Sequence, residues 1–267
     1  LNHPNVITGK NIIPGAVTKK WVDKQERMWG TQSAFWQSRV IGNFPSIATN
    51  LVVYLNWVEL AEQLKPRYNK VAKKDIYLGA DIGEFGNDPH VFYIGTTKKL
   101  IEIVTNDGEP NEAIGVIKRL IRTYGIPEDQ VSIDGIGVGA TVFSCVKEDY
   151  PKIKRFVASH TAMDAKSFTD RSTEAWWQVR NMLNPTSDLY ENYSLKGRHD
   201  RLKSDLCTRK YEHNTKGQIM LEPKKAYRKR MKRSPDYADA MAICYSPLCS
   251  ADIYGVIQIP GVSTDYY

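Results

Sequence analysis

Two short apolar runs that each end on a carboxylate constrain this chain more than any other feature. Ile76-Tyr-Leu-Gly-Ala leads into Asp81, and Val131-Ser-Ile leads into Asp134. Runs of this length and content predict buried strands. An acid at the end of such a strand, in mid-sheet, is costly unless it is paired or metal-bound. A third acidic motif, Arg233-Ser-Pro-Asp236-Tyr-Ala-Asp239-Ala, opens a predicted helix much later in the chain. Carboxylates brought to one edge of a sheet cannot all stay ionised without a counter-cation. Hard oxygen donors of this kind suit Mg²⁺ or Mn²⁺.

The elements between these motifs give the fold class. Asp75–Asp81, Val91–Gly95 and Lys99–Val104 read as three meandering strands, with turns at Gly86-Asn-Asp88 and Gly95-Thr-Thr. Ile114, Ile117, Leu120, Ile121 and Tyr124 repeat at helical spacing over 111–124, and Gly125-Ile-Pro closes that helix. A strand over 131–134, a helix over 140–150 and a strand over 154–158 follow. Three strands, then helix, strand, helix, strand, predict a mixed α/β sheet flanked by helices, in the order of a ribonuclease H-like fold.

Residues 1–70 read as an arm, 71–250 as the main domain and 251–267 as a turn-rich tail. Within the arm, 33–40 suits a short amphipathic helix stopped by Gly42-Asn-Phe-Pro45, and 51–64 suits a helix lying on something. A helix over 173–183 with Trp176 and Trp177, and a hairpin over 211–222 around Asn214-Thr-Lys-Gly217, complete the C-terminal half. Ser234 is expected as N-cap of the last helix with Pro235 at its first position.

Charge points to the partner. The chain has 267 residues and a formal net charge of +7, which favours an anionic partner, nucleic acid before membrane. Seven of the ten residues from Lys224 to Arg233 are basic: Lys224, Lys225, Arg228, Lys229, Arg230, Lys232 and Arg233. Elsewhere such a run is a solvated face. Directly before the third acidic motif it supplies the cations a phosphate backbone needs. Cys145, Cys207, Cys244 and Cys249 make no C-x-x-C pair, so free thiols in a reducing compartment are expected. No apolar run is long enough to span a membrane. Leu1 in place of a start Met suggests a piece of a longer protein.

Each motif has a competing reading. Asp81-Ile-Gly83 alone is a common turn, although Glu84 and Asp88 add charge that a turn does not need. Gly135-x-Gly137-x-x-Ala140 fits a dinucleotide fingerprint between strand and helix. Against it, Asp134 stands where a pyrophosphate would lie, and Val157-Ala-Ser-His160 lacks the ribose-binding acid. Gly137 and Gly139 then serve to keep the backbone bare beside the site. Asp236, in the first helical turn, suits the helix dipole. Asp239, flanked by Ala238 and Ala240, suits a ligand pointing at the strand ends. Trp176, Trp177 and Tyr245 read as core or partner-facing residues, and His90 has no special claim.

Together these motifs resemble the nuclease domain of the large terminase subunit of tailed bacteriophages. Gly79-Ala-Asp81-Ile-Gly-Glu-Phe-Gly-Asn-Asp88 is similar to its first acidic strand and turn, Val131–Gly139 to its second, and Arg233–Ala240 to its most specific signature. Arg39-Val-Ile-Gly-Asn-Phe-Pro45 resembles the segment joining the family's ATPase motor to its nuclease. No Walker A loop occurs here, so motor activity is not carried over. The resemblance implies a divalent-metal-dependent endodeoxyribonuclease that cuts concatemeric double-stranded viral DNA during packaging. It implies two Mg²⁺ or Mn²⁺ ions, with Asp81 anchoring both, Asp134 and Asp239 holding one each, and Asp88 as an auxiliary acid. It further implies the motor half, the small terminase subunit and the portal as partners, in the cytoplasm of an infected bacterial host. Alternatives are an actin-like ATPase, a dinucleotide-binding enzyme using the Gly135–Ala140 loop, and a non-catalytic packaging module whose acids hold a structural ion.

Overall fold

Alternation along the strands sorts the apolar residues into two cores, one on each face of a five-stranded sheet. In the computed structural model, residues 2–29, 36–42, 50–65, 72–83 and 88–249 are described. The strands are β1 (Tyr77–Asp81), β2 (His90–Gly95), β3 (Leu100–Asn106), β4 (Val131–Asp134) and β5 (Lys154–Phe156). Their spatial order is β3-β2-β1-β4-β5. The β1–β2 and β2–β3 pairs are antiparallel, while β1–β4 and β4–β5 are parallel. This is the mixed ribonuclease H-like sheet that the element order predicts.

The helices are α1 (Pro4–Thr8), α2 (Lys19–Trp29), α3 (Leu55–Gln63), α4 (Pro110–Tyr124), α5 (Val138–Asp149), α6 (Arg171–Leu183), α7 (Asp200–Leu206), α8 (Lys224–Met231) and α9 (Asp236–Tyr245). Leu78, Ala80, Phe92, Ile94, Val131 and Ile133 pack with Ile117, Leu120, Ile121, Val142 and Val146 of α4 and α5. Their neighbours of opposite parity, Val91 and Tyr93, pack with α3, α6, α7 and α9. A period of two therefore puts Gly79, Asp81, Ser132 and Asp134 on the α9 face.

Close approach of α9 to the sheet depends on one missing side chain. A Cβ on Gly79 would overlap the Ala240 carbonyl and the Cys244 backbone, so glycine at 79 lets the helix axis come down onto β1. Ala238, Ala240 and Ala242 are also buried there. At the far end of α9, Tyr245 donates to the Thr96 carbonyl at 2.8 Å. Its own hydrogen is thereby used, so it accepts from Tyr193 at 2.7 Å, and Tyr193 in turn accepts from Tyr93 at 2.6 Å. Burial pushes all three phenols up, which keeps this chain of donors neutral. Among the described residues no helix is long and apolar enough to cross a membrane, and all four cysteines are free thiols.

Several expectations shift. The arm contains α1 and α2, which its turn signals concealed, and Val52, Val53, Val58 and Ala61 enter the main core. Leu51 bridges to Lys210 ahead of α3, so that helix starts four residues later than its apolar spacing suggests. The short helix expected over 33–40 is seen at Trp36–Ile41; its first residues, the Pro45 stop, Glu84 and the tail lie outside the described residues. Pro235, not Ser234, is the N-cap of α9, and its own side chain makes no capping hydrogen bond. The cap function passes instead to Asp205, which accepts from the Tyr237 N–H at 3.1 Å. The hairpin 211–222 forms as β6 (Tyr211–His213) with β7 (Ile219–Leu221).

Candidate functional site

Register brings the first two acids together. Leu78, Gly79 and Ala80 pair with Val131, Ser132 and Ile133 in parallel. One step further along each strand come Asp81 and Asp134, side by side and on the same face. Asp134 accepts from the Ile136 N–H at 3.2 Å. Gly139 lets α5 start against this strand end, since a Cβ there would meet the Asp134 carbonyl. Gly137 has φ +56° and ψ −128°, a backbone state that favours glycine. The Gly135 carbonyl accepts from Arg155 Nε at 3.1 Å and from its Nη2 at 2.5 Å. The Arg155 side chain thus packs directly against Gly135 at the start of this loop.

From the opposite side, α9 carries Asp236 and Asp239 into the same cavity of about 420 Å³, which Asp88, Lys224 and Arg228 also line. Both oxygens of Asp239 are held. Trp176 Nε1 donates to Oδ1 at 2.9 Å, and Lys224 Nζ lies 2.9 Å from Oδ2. Asp236 Oδ2 is buried without a hydrogen-bond partner. The His90 ring holds the loop after β1. Its Nδ1 accepts from the Gly83 N–H at 3.1 Å, so its Nε2 carries the hydrogen that reaches the Gly108 carbonyl at 3.0 Å.

Crowding of charge sets the acidities. Burial pushes Asp81 well up, partly countered by Lys224 and reinforced by Asp239, Asp236 and Asp134. Burial also raises Asp134 to about 6 and Asp236 to about 6. Asp239 is buried too, but Lys224, Arg209 and the indole hydrogen bond outweigh burial and lower it. Its partner Lys224 is raised, first by Asp239. Among the described residues, no three acid, histidine or cysteine groups converge closely enough to hold a metal ion as they stand. The Lys224 ammonium takes the cationic position among them. The donor set itself fits a hard cation: anionic oxygens only, with Asp81, Asp134 and Asp236 raised in pKa by burial.

The basic run divides by helical period, because it forms α8. Lys224 and Arg228, four apart, face the cavity, and Arg228 Nη2 lies 3.0 Å from Asp88 Oδ2. Lys225, Lys229 and Lys232 are exposed. Arg230 and Arg233 are a departure from the expected DNA-facing set. Arg230 forks onto Glu222, with Nε at 3.0 Å and Nη2 at 2.5 Å. Arg233 pairs with the fully buried Asp205 and reaches Ser204 Oγ at 2.5 Å. Both charges serve to anchor α8 and α9. Trp176 and Arg209 were missed as site residues. The spacing of Tyr227 and Met231 on one helical face was an available sign that α8 turns part of its charge inward.

No family model matches the chain, and no curated protein does. Solved structures do. The nuclease domain of the large terminase subunit gp2 of bacterial virus Sf6 superposes with a TM-score of 0.62 at 18% identity, over 73% of this chain and 97% of that one. A mutant of the bacteriophage Sf6 domain with calcium gives 0.62 at 17%, over 73% and 98%. A mutant of the Sf6 domain with manganese gives 0.60 at 16%, over 73% and 98%. The chain has the fold of a phage large-terminase nuclease domain. That likeness spans nearly the whole of each matched terminase domain.

Proposed function

We propose that this chain is a divalent-metal-dependent endonuclease that cuts concatemeric double-stranded DNA during viral genome packaging. The observation that carries the reading is the meeting of Asp81, Asp134 and Asp239, from three separate elements, in one cavity rimmed by Lys224 and Arg228. The shared fold supports it, as does the calcium and manganese named with the Sf6 domain. Asp81, Asp134 and Asp239 would hold two Mg²⁺ or Mn²⁺ ions, with Asp88 and Asp236 as outer acids. Divalent ions in such a site supply Lewis acidity that activates water and neutralises the leaving oxygen. The chain's own part is to fix the carboxylates on rigid strands and a helix. Trp176 orients Asp239, and Lys224 offsets the charge of the acids. Water adds to phosphorus, the P–O ester bond breaks, and the departing alkoxide takes up a proton. By the same reading the partners are duplex DNA, a motor half, a small terminase subunit and a portal, in the cytoplasm of an infected bacterium.

The deciding experiment is plasmid cleavage with Mn²⁺ or Mg²⁺ against EDTA. Metal-dependent nicking and linearisation is expected. Its absence at micromolar protein would leave a packaging module with a neutralised acid cluster.

The metal-free protein should lose stability as pH rises. Asp134 and Asp236 titrate near 6 when folded, against about 3.9 when unfolded. Between these values the folded state keeps protons that the unfolded state has released. Their stabilising effect is complete below about pH 4 and is lost as pH rises through about 6. With EDTA the melting temperature attributable to these groups should be lower at pH 7.5 than at pH 5. Adding Mg²⁺ at pH 7.5 should raise it by binding the folded form alone. A metal-free melt that rises steadily across this window would contradict the assignment.

DNA binding by the exposed face of α8 should be electrostatic and indifferent to sequence. Replacing Lys225, Lys229 and Lys232 by Ala should flatten the salt dependence by about 0.9 per lost phosphate contact. Binding to unrelated duplexes should weaken alike. An unchanged slope returns these lysines to a solvated face.

A further inference from the structure

Beside the acidic cavity lies a second one, of about 370 Å³, that the proposed reaction does not use. It lies against β5, an edge strand of the sheet. Lys154, Arg155, His160 and Arg171 line it, and among the described residues no carboxylate does. Lys154, Arg155 and His160 are exposed. Arg155 gives its Nε and Nη2 hydrogens to the Gly135 carbonyl, a neutral acceptor that steadies the guanidinium without cancelling its charge. Arg171 differs, because the buried Glu174 matches it. A lysine on an edge strand guards against pairing with another chain. That role accounts for Lys154 alone, and not for four basic side chains around one hollow. A concave basic surface without acids favours an anion.

The position of this cavity selects the anion. Ser132 and Asp134 stand two residues apart on one face of β4, and they pair in register with Lys154 and Phe156 of β5. Asp134 lines the acidic cavity, Ser132 lines the basic one, and Phe156 lines both. The two hollows therefore share a wall, and about 7 Å of strand separates Asp134 from Ser132. That length matches the axial rise of about two base steps of a duplex. When one phosphodiester is brought to the acids, another phosphate of the same duplex comes within reach of the basic side chains. A free phosphate or an acidic protein segment would suit those side chains too, but a nucleic acid backbone fills both cavities at once.

We infer that the cavity at β5 seats a backbone phosphate of the DNA a few steps from the bond that is cut. This deepens the nuclease reading and rests on it for the identity of the ligand. Lys154 and Arg155 supply the charge, and the His160 ring can add a hydrogen bond. Phosphate contacts position a duplex without reading its sequence. With no acid in its lining, this cavity acts on how tightly DNA is held and not on the chemical step.

The test measures binding of a fluorescent linear duplex in EDTA across a salt series, and single-turnover cleavage of the same duplex with Mn²⁺. Lys154→Glu is compared with the parent and with Lys152→Glu. Lys152 is exposed and lines neither cavity, so it reports the same charge change two residues away. Lys154→Glu is expected to weaken binding about tenfold or more, and Lys152→Glu less than about threefold. Lys154→Ala should flatten the salt slope by about 0.9, the value for one lost phosphate contact. In cleavage, Lys154→Glu should raise the half-saturating protein concentration and leave the maximal rate within about threefold of the parent's. Melting in EDTA should stay parental; if Lys154→Glu melts lower, the slope of Lys154→Ala decides. Equal losses of binding in Lys154→Glu and Lys152→Glu overturn the inference and leave only the general field of a basic chain. Parental binding by Lys154→Glu overturns it as well, and turns the cavity over to an acidic protein segment. So does a slower maximal rate with unchanged half-saturation. A parent that binds duplex without cutting it loses the nuclease reading, while the binding comparison still decides this one.

Discussion

On the proposed reading, Asp81→Asn, Asp134→Asn and Asp239→Asn should each abolish metal-dependent plasmid cleavage, lowering the rate by about three orders of magnitude or more. Their effects on stability separate them. Asp81 is buried, raised in pKa by burial and by its fellow acids, and relieved only by Lys224. Making it neutral should leave the metal-free protein equally or more stable. Asp239 is the reverse case. It holds the indole of Trp176 and the ammonium of Lys224, so Asp239→Asn strands a cation among fewer anions and lowers the melting temperature. Melts in EDTA beside plasmid assays check both parts. Cleavage by Asp134→Asn at the parental rate would sink the site assignment. A fall in stability with Asp81→Asn larger than with Asp239→Asn would recast Asp81 as structural.

Gly79→Ala carries the second large effect, about 3 kcal/mol or more of lost stability. The added methyl meets the Ala240 carbonyl and Cys244 backbone, and main-chain atoms of a helix cannot step aside as a side-chain tip can. Either α9 lifts from β1 or the strand shifts, and each moves Asp239 away from Asp81. Urea unfolding should show a lower midpoint, and whatever folds should cut slowly even with saturating metal. A parental midpoint would mean that α9 does not lie on β1 as described.

Sequence reasoning reached the sheet because its signals are local. The alternation and apolar content of 75–81, 91–95 and 131–134, and the helical period of 111–124, survive in the structure within a few residues. Acids at strand ends were legible for the same reason, because parity follows from counting by two. What escaped was either irregular or distant. Asp200–Leu206 is mostly polar, yet Lys203 is buried because Glu62 takes its charge at 2.7 Å; a lone lysine cannot announce such a partner from 141 positions away. Arg230 and Arg233 were grouped with their neighbours because a run of like charges hides its inner face until the helix is drawn. Trp176 and Arg209 touch the site from elements with no acidic motif. Their roles depend on tertiary packing alone.

The reliance of β1 on α9 also has a consequence for how the protein is made. The sheet emerges from the ribosome with residues up to Phe156, whereas α9 is synthesised about eighty residues later. Until then Tyr93 and Val91 lack the helix that covers them, and Asp81 and Asp134 wait without Asp239 or Lys224. Because chains are made from the N-terminus, completion of the core and completion of the acidic centre are one step. A nascent or prematurely ended chain therefore lacks its covered sheet face and its full acidic cluster together.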